Sequence, residues 1–145
     1  MRARLGAALL GLGLLAGSAV RAQDTGAGGD PASFDLLTRG RYLAVAADCA
    51  ACHTAAGGAP FAGGRPIETP FGAVLAPNIT PDETGIGGMT AAEFTRALRE
   101  GRGRGGAHLY PAMPYTYYTR LSDEDVQAIR AYLMSLQPVR HAVQS

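Results

Sequence analysis

The connection between His53 and Met89 shows neither of the hydrophobic periods that regular secondary structure requires. It is rich in Gly, Pro and Thr, and no spacing of 2 or 3.6 residues is sustained along it. Such a long irregular segment is unusual inside a compact domain, because few regular backbone hydrogen bonds offset the entropy lost when it is ordered. We therefore predict that this loop is wrapped around a bound group.

Three amphipathic helices are predicted, one before this loop and two after it. The first extends from Ser33 to about Cys49 and follows an Asp30-Pro31 entry signal. Four residues are expected to form its apolar stripe: Phe34, Leu37, Tyr42 and Val45. This stripe is rough, so the first helix is predicted from its entry signal as much as from its period.

The other two helices have clear terminal signals. The second begins at Thr90, which forms a capping box with Glu93, and it ends at Gly101. The third begins at Ser122 with an acidic first turn that complements the helix dipole, and it ends before Pro138. Three helices of this size have little core of their own, so the sequence predicts an all-α domain that folds around a cofactor.

The run CAACH, Cys49 to His53, indicates which cofactor this is. A Cys-x-x-Cys-His run is the attachment signal of c-type haem. Cys49 and Cys52 are one helical turn apart, so both thiols can form thioethers with the vinyl groups on one edge of a porphyrin. The imidazole of His53 then projects under the ring as an axial ligand of the iron. The chain has 2 cysteines, and we predict one covalently bound haem c per chain.

Other uses of the two cysteines suit the sequence less well. A Cys49–Cys52 disulfide closes a very short loop, so it would restrict the unfolded chain little. A thioredoxin-like redox pair is expected in a βαβ unit, which the helices and Gly-rich loop do not form. A structural zinc site needs four ligands, and the sequence has no second cysteine pair.

Met113 is the predicted second axial ligand, opposite His53. It lies in the aromatic segment HLYPAMPYTYY, residues 108–118, which we expect not to be helical, because Pro114 lacks a backbone donor and stiffens the chain. A thioether on such a loop can bind iron at little further cost in ordering.

Three alternatives remain open at this position. Met113 can be an ordinary core residue, since methionine fills irregular gaps between apolar side chains. His108 is the main rival ligand, and Met89, just before the second helix, is the next. Met134 is expected at the surface of the third helix or in a gap at its edge, and His141 is expected in a frayed tail.

The first 22 residues have the pattern of a secretory signal peptide. Arg2 and Arg4 precede an apolar run, and Val20 and Ala22 suit the small-residue positions of a cleavage site after Ala22. An uncleaved anchor is the alternative, although the apolar run is short for a membrane span. We expect an exported, periplasmic protein with four parts: a signal peptide at 1–22, a flexible lead-in at 23–32, the haem domain at 33–138 and a C-terminal tail at 139–145.

Removal of that segment changes the net charge. The chain has 13 basic residues, all arginine, against 12 acidic residues, and Arg2, Arg4 and Arg21 lie in the predicted signal peptide. The remainder has ten basic and twelve acidic residues, a net charge of −2. This balance argues against a nucleic-acid-binding protein, and no transmembrane helix is expected after cleavage.

Two long segments resemble class I cytochrome c domains. They are residues 49–101, which include CAACH and NITPD, and residues 108–136, which include YPAMPY and LSDEDVQAIRAYL. The resemblance is closest to the repeated haem domains in cytochrome subunits of bacterial dehydrogenases for alcohols, aldehydes, gluconate and N-heteroaromatic acids. It covers residues 40–138, and it implies a small class I cytochrome c fold.

The resemblance also implies roles for particular residues. Cys49 and Cys52 match the haem attachment residues, and His53 and Met113 match the axial ligands. The first and last helices of this family cross where a glycine faces an aromatic residue, and the matching pair is Gly40 and Tyr132. Those subunits usually carry three haem domains and a membrane helix, whereas this sequence has one CAACH run.

The function implied is single-electron transfer rather than enzymatic catalysis. A His/Met pair favours ferrous iron and leaves no open coordination position. The partners expected are a periplasmic dehydrogenase as donor and an oxidase or another cytochrome as acceptor. The alternatives are a haem peroxidase or gas sensor with a displaceable distal ligand, and a structural module of a larger dehydrogenase complex. We also predict that a backbone carbonyl within Gly63–Pro70 accepts the Nδ1–H of His53 and fixes its tautomer.

Overall fold

The computed structural model describes residues 31–144, so the predicted signal peptide and nearly all of the lead-in lie outside the described residues. The elements, in chain order, are helices α1 (Pro31–Ala46) and α2 (Cys49–His53), strands β1 (Pro66–Thr69) and β2 (Gly72–Leu75), and helices α3 (Ala91–Glu100), α4 (Tyr115–Tyr118) and α5 (Asp123–Met134). Within this range no helix is long and apolar enough to cross a membrane. The prediction of a mainly helical domain is confirmed.

Helix α1 buries small residues instead of the apolar stripe predicted for it. Three members of that stripe, Phe34, Tyr42 and Val45, are 70%, 71% and 70% exposed. The buried residues of α1 are Gly40 and Ala44. Helix α5 packs against this face so closely that only small side chains fit between the two backbones. The predicted stripe is therefore wrong, because backbone proximity rather than apolar volume selects the buried face.

Gly40 marks the point where α1 and α5 cross. A Cβ atom at residue 40 would lie 2.0 Å from the carbonyl oxygen of Ala128 and 2.8 Å from Cβ of Tyr132. Both distances are shorter than any van der Waals contact allows, so the position requires glycine. The predicted contact between Gly40 and Tyr132 is confirmed.

We expect Gly40→Ala to lower the free energy of unfolding by about 3 kcal/mol, because α1 must move away from α5 to admit the methyl group. Denaturant unfolding followed by circular dichroism measures the loss. Thr38→Ala is a control at an exposed position of the same helix, and it should stay within about 0.5 kcal/mol of the wild type. Equal stability of the two variants would show that α1 and α5 do not cross this closely.

Both ends of α3 and the start of α5 follow the predicted signals, whereas α5 ends at Met134, four residues before Pro138. Thr90 and Glu93 form a reciprocal capping box, and Gly101 ends α3 in the left-handed conformation with φ 63°. The hydroxyl of Ser122 accepts a hydrogen bond from the Asp125 N–H at the start of α5. The two helices face each other through the hydrophobic core, which consists of Ile86, Phe94, Leu98, Val126, Ile129 and Leu133.

A two-stranded hairpin and a short helix were not expected from the sequence. Strands β1 and β2 pair antiparallel from Pro66↔Leu75 to Thr69↔Gly72, inside the loop predicted to be irregular. Each strand has four residues, too few to show an alternating period. Helix α4 begins directly after Pro114, so the exclusion of helix from residues 108–118 is wrong for the last four of them. Proline is compatible with the start of a helix, where no backbone donor is needed.

Candidate functional site

Helix α2 carries the three residues of the predicted haem attachment site on little more than one turn. Helix α1 ends at Ala46, earlier than predicted, because Asp48 takes the left-handed conformation with φ 52° and breaks the helix. The chain then enters α2, whose five residues are Cys49–His53. Both cysteines are free and partly buried, and their spacing puts them on one face of the turn.

The ring of His53 is held by a backbone carbonyl. Its Nδ1 lies 2.7 Å from the carbonyl oxygen of Pro77, so Nδ1–H donates and Nε2 keeps a free lone pair. Burial lowers the pKa of His53, and the hydrogen bond to Pro77 opposes this in part. A neutral imidazole with a fixed tautomer is the form that binds a metal.

The acceptor differs from the prediction, which placed it within Gly63–Pro70. That stretch is used elsewhere, because the N–H of Gly64 donates to Ala76 and the carbonyl of Arg65 accepts from the Ala76 N–H. Gly63 instead allows Pro77 to come close, since a Cβ at residue 63 would lie 2.4 Å from the carbonyl carbon of Pro77. The N–H of Gly63 also donates to the carbonyl of His53. The prediction of a backbone carbonyl is correct in kind and wrong in position.

Burial favours the protonated form of the Cys49 thiol. Burial is the main cause that raises the pKa of Cys49 to about 11, and the charges of Asp48 and Cys52 raise it further. Redox and catalytic cysteines depend on a lowered thiol pKa, which favours the nucleophilic thiolate. The environment of Cys49 therefore argues against a thioredoxin-like pair.

Met113 lies in the turn before α4 and packs against the hydrophobic core. Its N–H donates to the carbonyl of Tyr110, and its own carbonyl accepts from the Tyr115 N–H, so the backbone of this turn is fixed. Met89 and Met134 also pack against the core. Burial alone therefore does not separate Met113 from the other methionines, and its axial role stays a prediction.

His108 has a different environment from that of a buried ligand. It is exposed, and its Nε2 lies 2.7 Å from a guanidinium nitrogen of Arg102. Arginine has no acceptor, so this contact uses the lone pair of Nε2. A nitrogen engaged in this way must lose its partner before it binds a metal, which favours Met113 over His108.

Helix α4 connects the Met113 segment to the cysteines. The hydroxyl of Tyr118 donates to the carbonyl of Ala47 at 3.0 Å, two residues before Cys49. Burial raises the pKa of Tyr118, and the nearby Cys49 and Cys52 add to the shift. Tyr118 therefore stays protonated and holds the end of the Met113 segment beside the attachment site. No local pattern in the sequence indicates this contact.

Residues after α5 are bound to the loop that contains Pro77. The carbonyl of Val139 accepts from the side-chain amide of Asn78 at 2.8 Å, and the N–H of His141 donates to the hydroxyl of Thr84 at 3.0 Å. The Nδ1 of His141 lies 2.8 Å from the carbonyl oxygen of Ala62. The prediction that His141 lies in a frayed tail is therefore wrong, because side chains distant in sequence supply its partners.

Acid should weaken the part of this loop that Asp82 stabilises. The hydroxyl and then the N–H of Thr84 lower the pKa of the partly exposed Asp82, with a smaller contribution from Arg140. A carboxyl whose folded pKa is depressed stabilises the fold above the unfolded value of about 3.9, and loses this contribution as the pH falls through the folded value. We expect the difference in unfolding free energy between wild type and Asp82→Asn to shrink as the pH falls below about 4 in urea unfolding. A difference that stays constant with pH would contradict this role.

The residues on and around α2 fit a covalently attached haem. Two free thiols one turn apart can form the thioethers, and Nε2 of His53 remains available for iron. Gly63 removes the side chain that would push Pro77 away from the imidazole. Among the described residues no cluster of three or more His, Cys, Asp or Glu could hold a separate metal ion.

Known proteins with related sequences include components of dehydrogenases. The chain is 56% identical over 109 residues to a nicotinate dehydrogenase subunit of Pseudomonas putida, a match to 74% of this chain and 9% of that protein. It is 51% identical over 129 residues to the fructose dehydrogenase cytochrome subunit of Gluconobacter japonicus, covering 87% and 26%. A diheme cytochrome c-type protein of Cereibacter sphaeroides is 40% identical over 119 residues, covering 75% and 40%. The chain thus spans less than half the length of each of these relatives.

The cytochrome c family model matches residues 37–137 of the chain. This range contains the CAACH turn, the loop with Pro77, and helices α3 to α5. The mainly helical architecture and the crossing at Gly40 agree with the class I fold expected from the resemblance. This chain belongs to the cytochrome c family, whose members bind haem c covalently.

Proposed function

We propose that this protein carries single electrons through one covalently bound haem c. Cys49 and Cys52 form the thioethers, and His53 and Met113 are the axial ligands of the iron. The protein takes electrons from a dehydrogenase and passes them to an oxidase or another cytochrome in the periplasm. It is an electron-transfer protein and not itself an enzyme.

The fixed tautomer of His53 is the observation that carries this proposal. Its Nδ1 is bound to the Pro77 carbonyl, and its ring extends from the same turn as two free thiols. The composition supports a single haem, since the sequence has 2 cysteines and they occupy one attachment run. Family membership supports covalent attachment.

The haem, when bound, supplies an iron that alternates between the ferric and ferrous states by one electron. The protein limits the structural rearrangement that accompanies this change of oxidation state. The Pro77 carbonyl orients the His53 ring, and the hydrogen-bonded turn around Met113 limits how far its sulfur can move. Tyr118 ties that turn to the end of α1, and the hydrophobic core behind it excludes water. Because the ligand side chains move little, the reorganisation energy of electron transfer is small.

A dehydrogenase is proposed as the donor because of the related proteins. Two of them are named as subunits of nicotinate and fructose dehydrogenases. The signal-peptide pattern of the first 22 residues supports a periplasmic location, where c-type haem is attached.

A redox titration of the purified protein tests the proposal. We expect a one-electron Nernst curve, one haem per chain by intact mass after denaturation, and reoxidation of the reduced protein by a purified oxidase. Ready binding of CO by the ferrous protein together with turnover of peroxide would instead support a haem enzyme or sensor. Failure to exchange electrons with any added oxidase or dehydrogenase would support a structural module.

A further inference from the structure

We propose that the segment Val139–His141 is a positioning device for the axial histidine, and that its attachment to the loop sets the reduction potential. The inference rests on the proposed function, because it takes His53 as an iron ligand. The hydrogen-bonded group formed by Asn78, Thr80, Thr84, Val139 and His141 is called the clasp below. The clasp lies next to Pro77, whose carbonyl holds His53.

Asn78 is the centre of the clasp. Its side chain is 3% exposed, and it directly follows Pro77 in the sequence. Its Oδ1 accepts from the N–H and the hydroxyl of Thr80, at 2.9 and 2.8 Å. Its amide donates to the hydroxyl of Thr84 and the carbonyl of Val139, at 3.1 and 2.8 Å. Both polar atoms of this buried amide are therefore engaged, and Val139 is far away in sequence.

Thr80 and Thr84 complete the attachment of the C-terminal segment. The hydroxyl of Thr80 is fully buried, accepts from the Val139 N–H at 3.1 Å and donates to Asn78. The hydroxyl of Thr84 accepts from the His141 N–H and donates to Asp82 at 2.6 Å. The Thr84 hydroxyl also accepts from the Asn78 amide, and the Thr80 hydroxyl lies 3.3 Å from the Val139 carbonyl as well as 2.8 Å from Asn78 Oδ1. Both hydroxyls therefore join the C-terminal segment to the loop.

The same segment also contacts the backbone on either side of Gly63. His141 contacts the carbonyl of Ala62, and a Cβ at Gly64 would lie 2.9 Å from its ring. Gly63, between these two residues, donates its N–H to the carbonyl of His53. Residues 139–141 therefore fix both stretches of backbone that contact His53, the one at Gly63 and the one at Pro77.

The position of the Pro77 carbonyl affects how strongly His53 donates electrons to the iron. A carbonyl that accepts the Nδ1–H of an axial histidine makes the imidazole a stronger electron donor and stabilises ferric iron. If the clasp loosens, the Pro77 carbonyl is held less firmly and this donation weakens. The ratio of reduced to oxidised protein at a fixed applied potential should then rise.

Thr80→Val tests the clasp with almost no change of shape. It removes the hydroxyl that joins Asn78 to Val139, and Thr80→Ser restores that hydroxyl. The control is Thr95→Val, which removes a threonine hydroxyl bonded to the Ala91 carbonyl on α3, away from the clasp. These three variants and the wild type are compared in the haem-loaded form by redox titration and by NMR of the His53 Nδ1 proton.

We expect Thr80→Val to raise the reduced-to-oxidised ratio about three- to tenfold at fixed potential, where tenfold corresponds to about 59 mV for one electron. The Nδ1 proton should move upfield in the same variant, because its hydrogen bond to Pro77 is weaker. Thr80→Ser should return both values toward the wild type, and Thr95→Val should change neither. An equal shift in Thr95→Val would overturn the inference, since it would show general softening rather than positioning.

If Thr80→Val does not fold, His141→Ala tests whether the clasp influences the reduction potential. His141 is exposed, and its backbone bonds to the clasp remain in the variant. The potential should shift in the same direction by a smaller amount, because only the contact with Ala62 is lost. Unchanged potentials in every variant that folds would overturn the inference while leaving the proposed function intact. A wild-type spectrum without axial histidine ligation would instead contradict the proposed function itself.

Discussion

Replacing Cys49 and Cys52 together by serine should yield a chain without covalently bound haem and without a cooperative unfolding transition. The thioethers cannot form without the thiols. Within residues 31–144 the hydrophobic core cluster contains six buried residues, and the regular strands of the long loop are a hairpin of two four-residue strands. Small domains depend on bound groups when their own core is limited, and the haem stabilises the fold because its packing against the chain and its bonds to the ligand side chains are made in the native state.

Intact mass after denaturation and near-ultraviolet circular dichroism measure this result. Ala50→Ser is the matched control, because residue 50 is exposed within the same run and the Cys-x-x-Cys-His spacing is kept. This control should bind haem and unfold as the wild type does. Covalent haem in the double variant, or a well-folded chain without haem, would refute the assignment of the cysteines or of the loop.

Met113→Leu should lower the reduction potential by at least about 0.1 V, within the span of about 0.8 V that axial ligands cover in haem proteins. Leucine keeps the volume that packs against the core, so the loss reports the sulfur and not a cavity. Without the thioether, ferrous iron loses its favoured soft ligand, and the sixth position becomes accessible to CO.

Met89→Leu and Met134→Leu are the controls, since both side chains also pack against the core. Neither should change the potential by more than a small fraction of the Met113 effect. If Met89→Leu gives the large fall instead, the axial role belongs to Met89. If no methionine variant does, His108 becomes the candidate, although Arg102 occupies its Nε2.

The features predictable from the sequence are those that depend on neighbouring residues. The helix caps act within one helical turn, so their roles could be read directly from the sequence. They are Thr90 with Glu93 and Gly101 in α3, and Ser122 in α5. The CAACH run is similarly local, because the chemistry of attachment sets its spacing.

The features that could not be predicted depend on residues far apart in sequence. The buried face of α1 is set by the approach of α5 at Gly40 and not by the apolar residues of α1 itself. The acceptor for His53 is Pro77 because Gly63 lets that part of the backbone come close. The anchoring of His141 requires partners in the loop, and no pattern within residues 139–145 indicates them.

Proton NMR of the reduced, haem-loaded protein, with its methionine methyl groups isotopically labelled, tests whether His53 and Met113 bind the iron. A methyl group held above the face of a porphyrin is shifted far upfield by the ring current. We expect one such resonance in the wild type, and it should disappear in Met113→Leu. A spectrum with no shifted methyl group, or one whose shifted signal survives in Met113→Leu, would contradict His53/Met113 ligation.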